Sequence, residues 1–144
     1  MTIEITSEPI DYTALTESVR CHNAGAVVLF MGTVREMTGC KQTTLLEYEA
    51  YPEMAEAKML KIANEAKEKW KLQNLAAVHR VGRLDLGEIA VAVAVSAGHR
   101  EEAFAAGRFM IDTIKDEVPI WKKENWADGT EEWVHPGMDS GAQA

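Results

Sequence analysis

The sequence predicts a single α+β domain: a mixed, mainly antiparallel sheet with packed helices. Three observations carry that expectation. Gly25–Val34 is a strongly β-branched run of strand length, and Leu75–Leu84 and Ile89–Ser96 are further strand candidates. Two long stretches, beginning near Pro52 and Gly98, carry apolar residues at helical spacing instead. Strands follow one another through a short glycine turn, which argues for α+β over a doubly wound parallel sheet. A chain of 144 residues suffices for one compact domain and is too short for two ordinary ones.

The elements follow in order. Thr2–Ile5 reads as a short strand. Asp11 is placed to cap a helix in which Tyr12, Leu15 and Val19 share a face. Gly25–Val34 reads as a buried strand and the polar, glycine-containing Arg35–Thr43 as a loop. Thr44–Ala50 reads as the next strand. Pro52 suits a helix's first turn, and Ala55, Met59, Ile62, Ala63, Ala66 and Trp70 then form one apolar stripe. Leu75–Leu84 and Ile89–Ser96 flank a turn at Asp85–Glu88 that contains Gly87, the pattern of a hairpin. In the second of these, Ile89, Val91, Val93 and Val95 share one face and Ala90, Ala92 and Ala94 the other. That predicts a central strand with its bulky face in the core and its small face under a close helix. Gly98–Val118 reads as the last long helix, stopped by Pro119. Ile120–Trp126 and Glu131–Val134 read as short strands, and the small, polar 137–144 as a flexible tail.

Composition narrows the function. The net charge is −8, from 15 basic and 23 acidic residues. A protein that grips nucleic-acid phosphates shows the reverse balance, so any basic site is local. The longest apolar runs, Ala24–Met31 and Ile89–Ala97, fall short of the ~20 residues a membrane-spanning helix needs. The first ten residues carry Glu4 and Glu8 and no basic residue, unlike a signal peptide. Cys21 and Cys40 are isolated, as expected of reduced thiols in a cytoplasmic protein. His22, His79, His99 and His135 are scattered without metal-ligand spacing, so no metal site is expected.

The last helix holds the first chemical signal. At about 100° per residue, Ala103, Gly107, Met110, Ile111, Ile114 and Val118 form its core stripe. Arg100, Phe104, Arg108 and Lys115 fall on one border of that stripe, predicted to be half-buried. Ser96-Ala97-Gly98-His99-Arg100 leaves a strand and opens the helix, where free N–H groups and the dipole favour an anion. Two readings fit: a phosphate site, or a helix start with two solvated polar residues. Beyond the helix, Pro119 turns the chain, so that Lys115 and Lys122 can converge on one pocket while Trp121 and Lys123 face away. A lysine near other cations in a desolvated pocket loses proton affinity and becomes an acid, base or nucleophile. Solubilising surface lysines are the other reading. Glu47 and Glu49 fit an exposed strand face. His79 and Arg80 are read as structural, and Trp121, Trp126 and Trp133 as core or as lining a contact.

Five segments then carry a resemblance: GAVVLFMGTVRE (Gly25–Glu36), LEYEAYPEMA (Leu46–Ala55), HRVGRLDLGE (His79–Glu88), VSAGHREEAF (Val95–Phe104) and IDTIKDEVPIWKKE (Ile111–Glu124). In this order, over roughly residues 2–134, the chain resembles the molybdopterin synthase large-subunit family. The resemblance implies a catalytic domain over 1–136 with an α/β hammerhead-like fold, at the homodimeric core of a heterotetramer. It implies a small ubiquitin-like partner whose Gly-Gly terminus carries a thiocarboxylate. That partner would give two sulfurs in turn to cyclic pyranopterin monophosphate (precursor Z), forming the dithiolene pterin of the molybdenum cofactor. No metal or organic cofactor is implied for the step. By motif, Arg35, His99 and Arg100 would bind substrate, and Lys115 and Lys122 would be catalytic. Arg35 in particular is a candidate to serve the neighbouring protomer's site. Two other classes remain: a module that only docks a ubiquitin-like protein, and a lysine Schiff-base enzyme acting on a sugar phosphate. Convergence of His99, Arg100, Lys115 and Lys122 on one pocket separates an enzyme from a docking surface.

Overall fold

A computed structural model describes residues 1–135, so the tail expected at 137–144 lies outside the described residues. The elements are β1 (Thr2–Thr6), α1 (Tyr12–Val19), β2 (Ala26–Thr33), β3 (Met37–Thr38), β4 (Lys41–Ala50), α2 (Pro52–Lys69), β5 (Asn74–Arg80), β6 (Gly82–Asp85), β7 (Ile89–Ala97), α3 (Arg100–Glu117), β8 (Ile120–Trp126) and β9 (Glu131–Val134). They form two sheets. The first has the order β1-β5-β7-β2 and is antiparallel except for the parallel β1–β5 pair. The second has the order β3-β4-β8-β9, with β6 also on β4, and is antiparallel throughout. The expected α+β class holds.

The predicted two-faced strand is β7, at the centre of the first sheet. Val91, Val93 and Val95 enter the main core with Met59, Ile62 and Ala66 of α2 and Met110, Ile111 and Ile114 of α3. Ala92 and Ala94 face the other way, under Leu15 and Val19 of α1, but at the strand's start the expected faces are exchanged: Ile89 packs with these alanines and Ala90 joins the main core, where the register with β2 shifts between Gly32 and Thr33. The small side chains of Ala92 and Ala94 let α1 sit close; its Asp11 cap accepts the Ala14 N–H at 3.0 Å. Gly107 of α3 faces Val28 and Val95, where an added Cβ would make ordinary van der Waals contact.

Four expectations need correction. The run Gly25–Val34 does form a strand, but among the described residues β2 is an edge strand pairing only with β7, and Val27 and Met31 are exposed. An apolar run reports strand propensity without saying which side lacks a neighbour. The expected loop Arg35–Thr43 contains β3 and the start of β4, a hairpin turned at Gly39 with φ +62°. The expected strand Leu75–Leu84 is two. β5 stays in the first sheet, paired antiparallel with β7, while Val81 and Gly82 (φ +92°) carry the chain across to β4 as β6. Finally, the basic border of α3 is not uniformly half-buried. Arg100, Phe104 and Arg108 are exposed, and Lys115 alone of the four is partly covered. Among the described residues no helix is long and apolar enough to cross a membrane.

Candidate functional site

The register of β7 decides which of the sequence-predicted residues can meet. Val91, near the start of β7, lies between Gly32 of β2 and His79 of β5. At this same end the Val34 N–H donates to the Glu88 carbonyl (3.0 Å) and the Gly87 N–H to the Val34 carbonyl (2.7 Å), which pins Arg35 beside the turn. Helix α3 returns over the sheet and brings Lys115, in its last turn, to the same end, where its charge is felt by His79. Arg35, His79 and Lys115 therefore share one end of the first sheet.

His99 and Arg100 do not. They open α3 at the far end of β7, next to Gly98, whose carbonyl is so close to Gly25 that a Cβ on Gly25 would fall 2.5 Å from its oxygen. Fifteen residues of helix separate Arg100 from Lys115, about 22 Å at the usual rise. The expected meeting of all four groups in one cleft of a single chain does not occur. Both residues at the helix start are exposed. His99 makes no capping side-chain bond, and Glu101 and Glu102 already place acids in the first turn. Those carboxylates answer the dipole's positive end and compete with an external anion there.

Lys122 lies on the strand that follows α3. The alternation of β8 points Ile120, Lys122 and Glu124 inward and leaves Trp121 and Lys123 half-buried on the opposite face, as predicted. Lys122 is only 2% exposed, with its ammonium 3.2 Å from Glu124 Oε1, and Thr43 Oγ1 donates to Glu124 Oε2 at 3.1 Å. Lys123, by contrast, reaches Glu47 at 2.9 Å and Glu131 at 3.3 Å. The Lys123 hydrogen bond is the main reason the Glu47 carboxyl lies below its ordinary value. The KK pair is thus one buried cation and one surface cation.

Two residues that the sequence did not mark as functional connect these parts. Tyr48 of β4 sits opposite Lys122 in the ladder and packs edge-on against His79, ring centroids 5.0 Å apart. His79 is buried at 5% exposure, and its Nδ1 lies 2.8 Å from the Arg80 carbonyl. Burial above all, with a smaller part from the nearby Lys115 charge, lowers its pKa from 6.5 to about 4, so the ring is neutral at pH 7. The Tyr48–His79 pair bridges the two sheets, with Lys122 opposite Tyr48 in the ladder and the Lys115 charge felt by His79. The signal available in the sequence was a histidine inside an otherwise apolar strand, a pattern that equally describes a structural residue.

The tryptophans lie outside this cluster. Trp121 packs edge-on with Tyr51 and, with Trp133 and Glu49, lines a groove of about 320 Å³. The Lys41 ammonium sits 4.8 Å from the centre of the Trp126 ring. None of the three is a fully buried core residue. Among the described residues no group of three histidines, cysteines or carboxylates is arranged to hold a metal ion.

Comparison with known proteins adds the chemistry this geometry lacks. The family model described as MoaE protein matches residues 5–117. A molybdopterin synthase catalytic subunit from Halalkalibacterium halodurans is 47% identical over 136 residues, covering 94% of this chain and 86% of the relative. The crystal structure of molybdopterin synthase from Staphylococcus aureus superposes with a TM-score of 0.87 at 45% identity, covering 92% of this chain and 96% of that one. A Helicobacter pylori chain, solved in a complex of subunits 1 and 2 of molybdopterin-converting factor, shares the fold at a TM-score of 0.74 and 20% identity. That match covers 95% of this chain and 91% of the other.

Proposed function

The chain belongs to the MoaE protein family, and from that premise we propose that it is the catalytic subunit of a molybdopterin synthase, a sulfur-transferring enzyme. The observation that carries the site is a pair of lysines from a helix end and the following strand, Lys115 felt by the buried His79 and Lys122 opposite Tyr48 in the ladder. A docking surface needs no half-buried cation beside a neutral buried imidazole; an active site that must stabilise negative charge away from water does.

The finer reading assigns roles. A small ubiquitin-like subunit inserts its thiocarboxylated Gly-Gly terminus, and precursor Z supplies the carbons that receive two sulfurs. Lys115 stabilises negative charge on the acyl group and transfers a proton as sulfur leaves. Lys122, already held by Glu124, is a fixed cation that orients the incoming terminus or the substrate. Arg35, at the same end of the sheet, offers its planar fork to the substrate phosphate.

His99 and Arg100 can join this site only from another copy of the chain, because α3 holds them about 22 Å from Lys115 of their own. A homodimer at the centre of a heterotetramer supplies that second copy. It makes the His99–Arg100 pair, rather than Arg35, the natural cross-protomer contribution. The setting is cytoplasmic. The direct test mixes the protein with a thiocarboxylated small subunit and precursor Z and measures the dithiolene product. Product from the wild type and at most about 1% of it from Lys115→Ala is the expected result. Near-normal product from Lys115→Ala refutes the assignment of that lysine. A lysine Schiff-base mechanism would instead be revealed by borohydride trapping of substrate on Lys115.

A further inference from the structure

We propose that Thr43 is a positioning residue for Lys122: its hydroxyl fixes the Glu124 carboxylate and so sets where the Lys122 ammonium points. This role rests on the one proposed above for Lys122, orienting the incoming terminus or the substrate.

The three side chains form a continuous series between β4 and β8. Thr43 Oγ1 donates to Glu124 Oε2 at 3.1 Å, and Glu124 Oε1 lies 3.2 Å from the Lys122 ammonium. None of the three residues is more than 2% exposed. Each carboxylate oxygen thus meets a different donor. The last torsion of a glutamate is broad, so a carboxylate held through one oxygen can still turn, whereas donors on both oxygens hold its plane. Threonine suits the task because its branched side chain is stiff at χ1 and presents the hydroxyl in a set direction. A buried hydroxyl that loses its partner costs more than a typical hydrogen bond contributes, so the bond persists.

A break in β4 brings this hydroxyl inward. Leu46 and Tyr48 are buried opposite Glu124 and Lys122 in the ladder. Period-two alternation would continue inward at Thr44. Instead the register shifts between Thr43 and Leu45, Thr43 is buried, and Thr44 is exposed with its hydroxyl on the Asn125 carbonyl at 3.0 Å. Re-aiming a side chain is what such an irregularity does in an antiparallel pair. The backbone of the same residue is anchored too: the Thr43 N–H donates to the Glu36 carbonyl at 2.7 Å, one residue beyond Arg35. Thr43 therefore ties the buried Lys122–Glu124 pair to the segment that carries Arg35. An ammonium on a fixed carboxylate loses less orientational freedom when the reactants arrive.

The test uses the full-length protein and two readouts. First, the lysine ammonium groups of the ¹⁵N-labelled protein are observed by NMR, with Lys122→Met identifying the Lys122 signal by its loss. Thr43→Val, which keeps the shape and removes the hydroxyl, is expected to move that signal, and Thr43→Ser to leave it near its wild-type position. An unmoved Lys122 signal in Thr43→Val overturns the proposal. Second, the variants are assayed with the thiocarboxylated partner and precursor Z, after melting curves confirm that they fold. Thr43→Val is expected to lose about three- to tenfold in kcat with little change in KM, because the ammonium is still present and only its aim is lost. Thr43→Ser returns a donor and recovers most of the rate. Thr44→Val, altered on the outer side of the same break, keeps wild-type kinetics. Equal losses in Thr43→Val and Thr43→Ser, or no loss in Thr43→Val, make Thr43 a packing residue and overturn the proposal. Thr43→Ala removes the same hydroxyl and replaces Thr43→Val in both readouts if the latter does not fold. Should the Lys122→Met/Glu124→Leu double variant stay active, the reading of Lys122 falls, while the ammonium spectrum still decides whether Thr43 holds it.

Discussion

Replacing Lys122 by methionine removes one half of a buried ion pair and leaves the Glu124 carboxylate in a site where that side chain is only 3% exposed. Breaking a buried pair from one side costs about 3–5 kcal/mol, because the remaining charge stays desolvated. The Thr43 hydroxyl still donates to the other carboxylate oxygen and offsets part of this, so the lower end, about 3 kcal/mol, is expected. Domains of this kind are stable by about 5–15 kcal/mol in total, so the loss is large. It corresponds to a fall in Tm of roughly 6–12 °C at this chain length. The measurement is urea unfolding of the wild type, Lys122→Met and the double variant Lys122→Met/Glu124→Leu. Removing both charges substitutes apolar contacts for an ion pair and should return the midpoint to within about 1 kcal/mol of the wild type. The double variant should remain inactive in sulfur transfer, which separates Lys122's chemical role from its structural one. A single variant as stable as the wild type would refute the reasoning, and so would a double variant no better than the single.

Three further outcomes follow from the same geometry. Gly25→Ala sets a Cβ 2.5 Å from the Gly98 carbonyl oxygen; backbone must yield, and thermal unfolding should report a loss of about 1–3 kcal/mol. The folded-state pKa of His79 lies below its ordinary value, so its contribution is fully present above pH 6.5 and is lost as pH falls towards 4. Between pH 6.5 and 5 this amounts to about 2 kcal/mol, in a window above the titration of the carboxyls of Glu47 and Glu88, both held below 4.5. Urea unfolding of His79→Phe should show that slope flattened, and an unchanged slope would mean the imidazole is already solvated in the native state. Equal mixing of inactive His99→Ala and Lys115→Ala chains, allowed to exchange subunits, should restore about a quarter of wild-type activity if the two residues serve one site from different protomers. No recovery, with exchange demonstrated, would refute a shared site.

The sequence made some of this legible for specific physical reasons. Period-two alternation in β7 and β8 shows in side-chain size and polarity, so the two faces of Val91–Val95 and the inward aim of Lys122 could be read directly. The stripes of α2 and α3 were likewise visible. What periodicity does not encode is adjacency. It could not say that β2 lies at an edge, or that Leu75–Leu84 divides between two sheets at Gly82, because both depend on partners distant in the chain. The same gap explains the site. Lys115 and Lys122 lie seven residues apart, on either side of the turn at Pro119. His99 and Arg100 share a helix with Lys115, and a rigid helix keeps its two ends apart. Tyr48 and His79 were missed because their significance is a contact between sheets, which no local pattern records.

The passage of the chain from β5 to β6 through Val81 alone sets a mechanical limit. Two layers tied by one intervening residue, and clasped again by the Tyr48–His79 ring contact, cannot swing apart like the halves of a hinged enzyme. Under the function proposed above, a foreign peptide terminus would be admitted along the rim, by adjustment of side chains and outer hairpins around a stationary frame. In such a design specificity resides in the shape of the doorway, and turnover need not wait for a domain to open and shut.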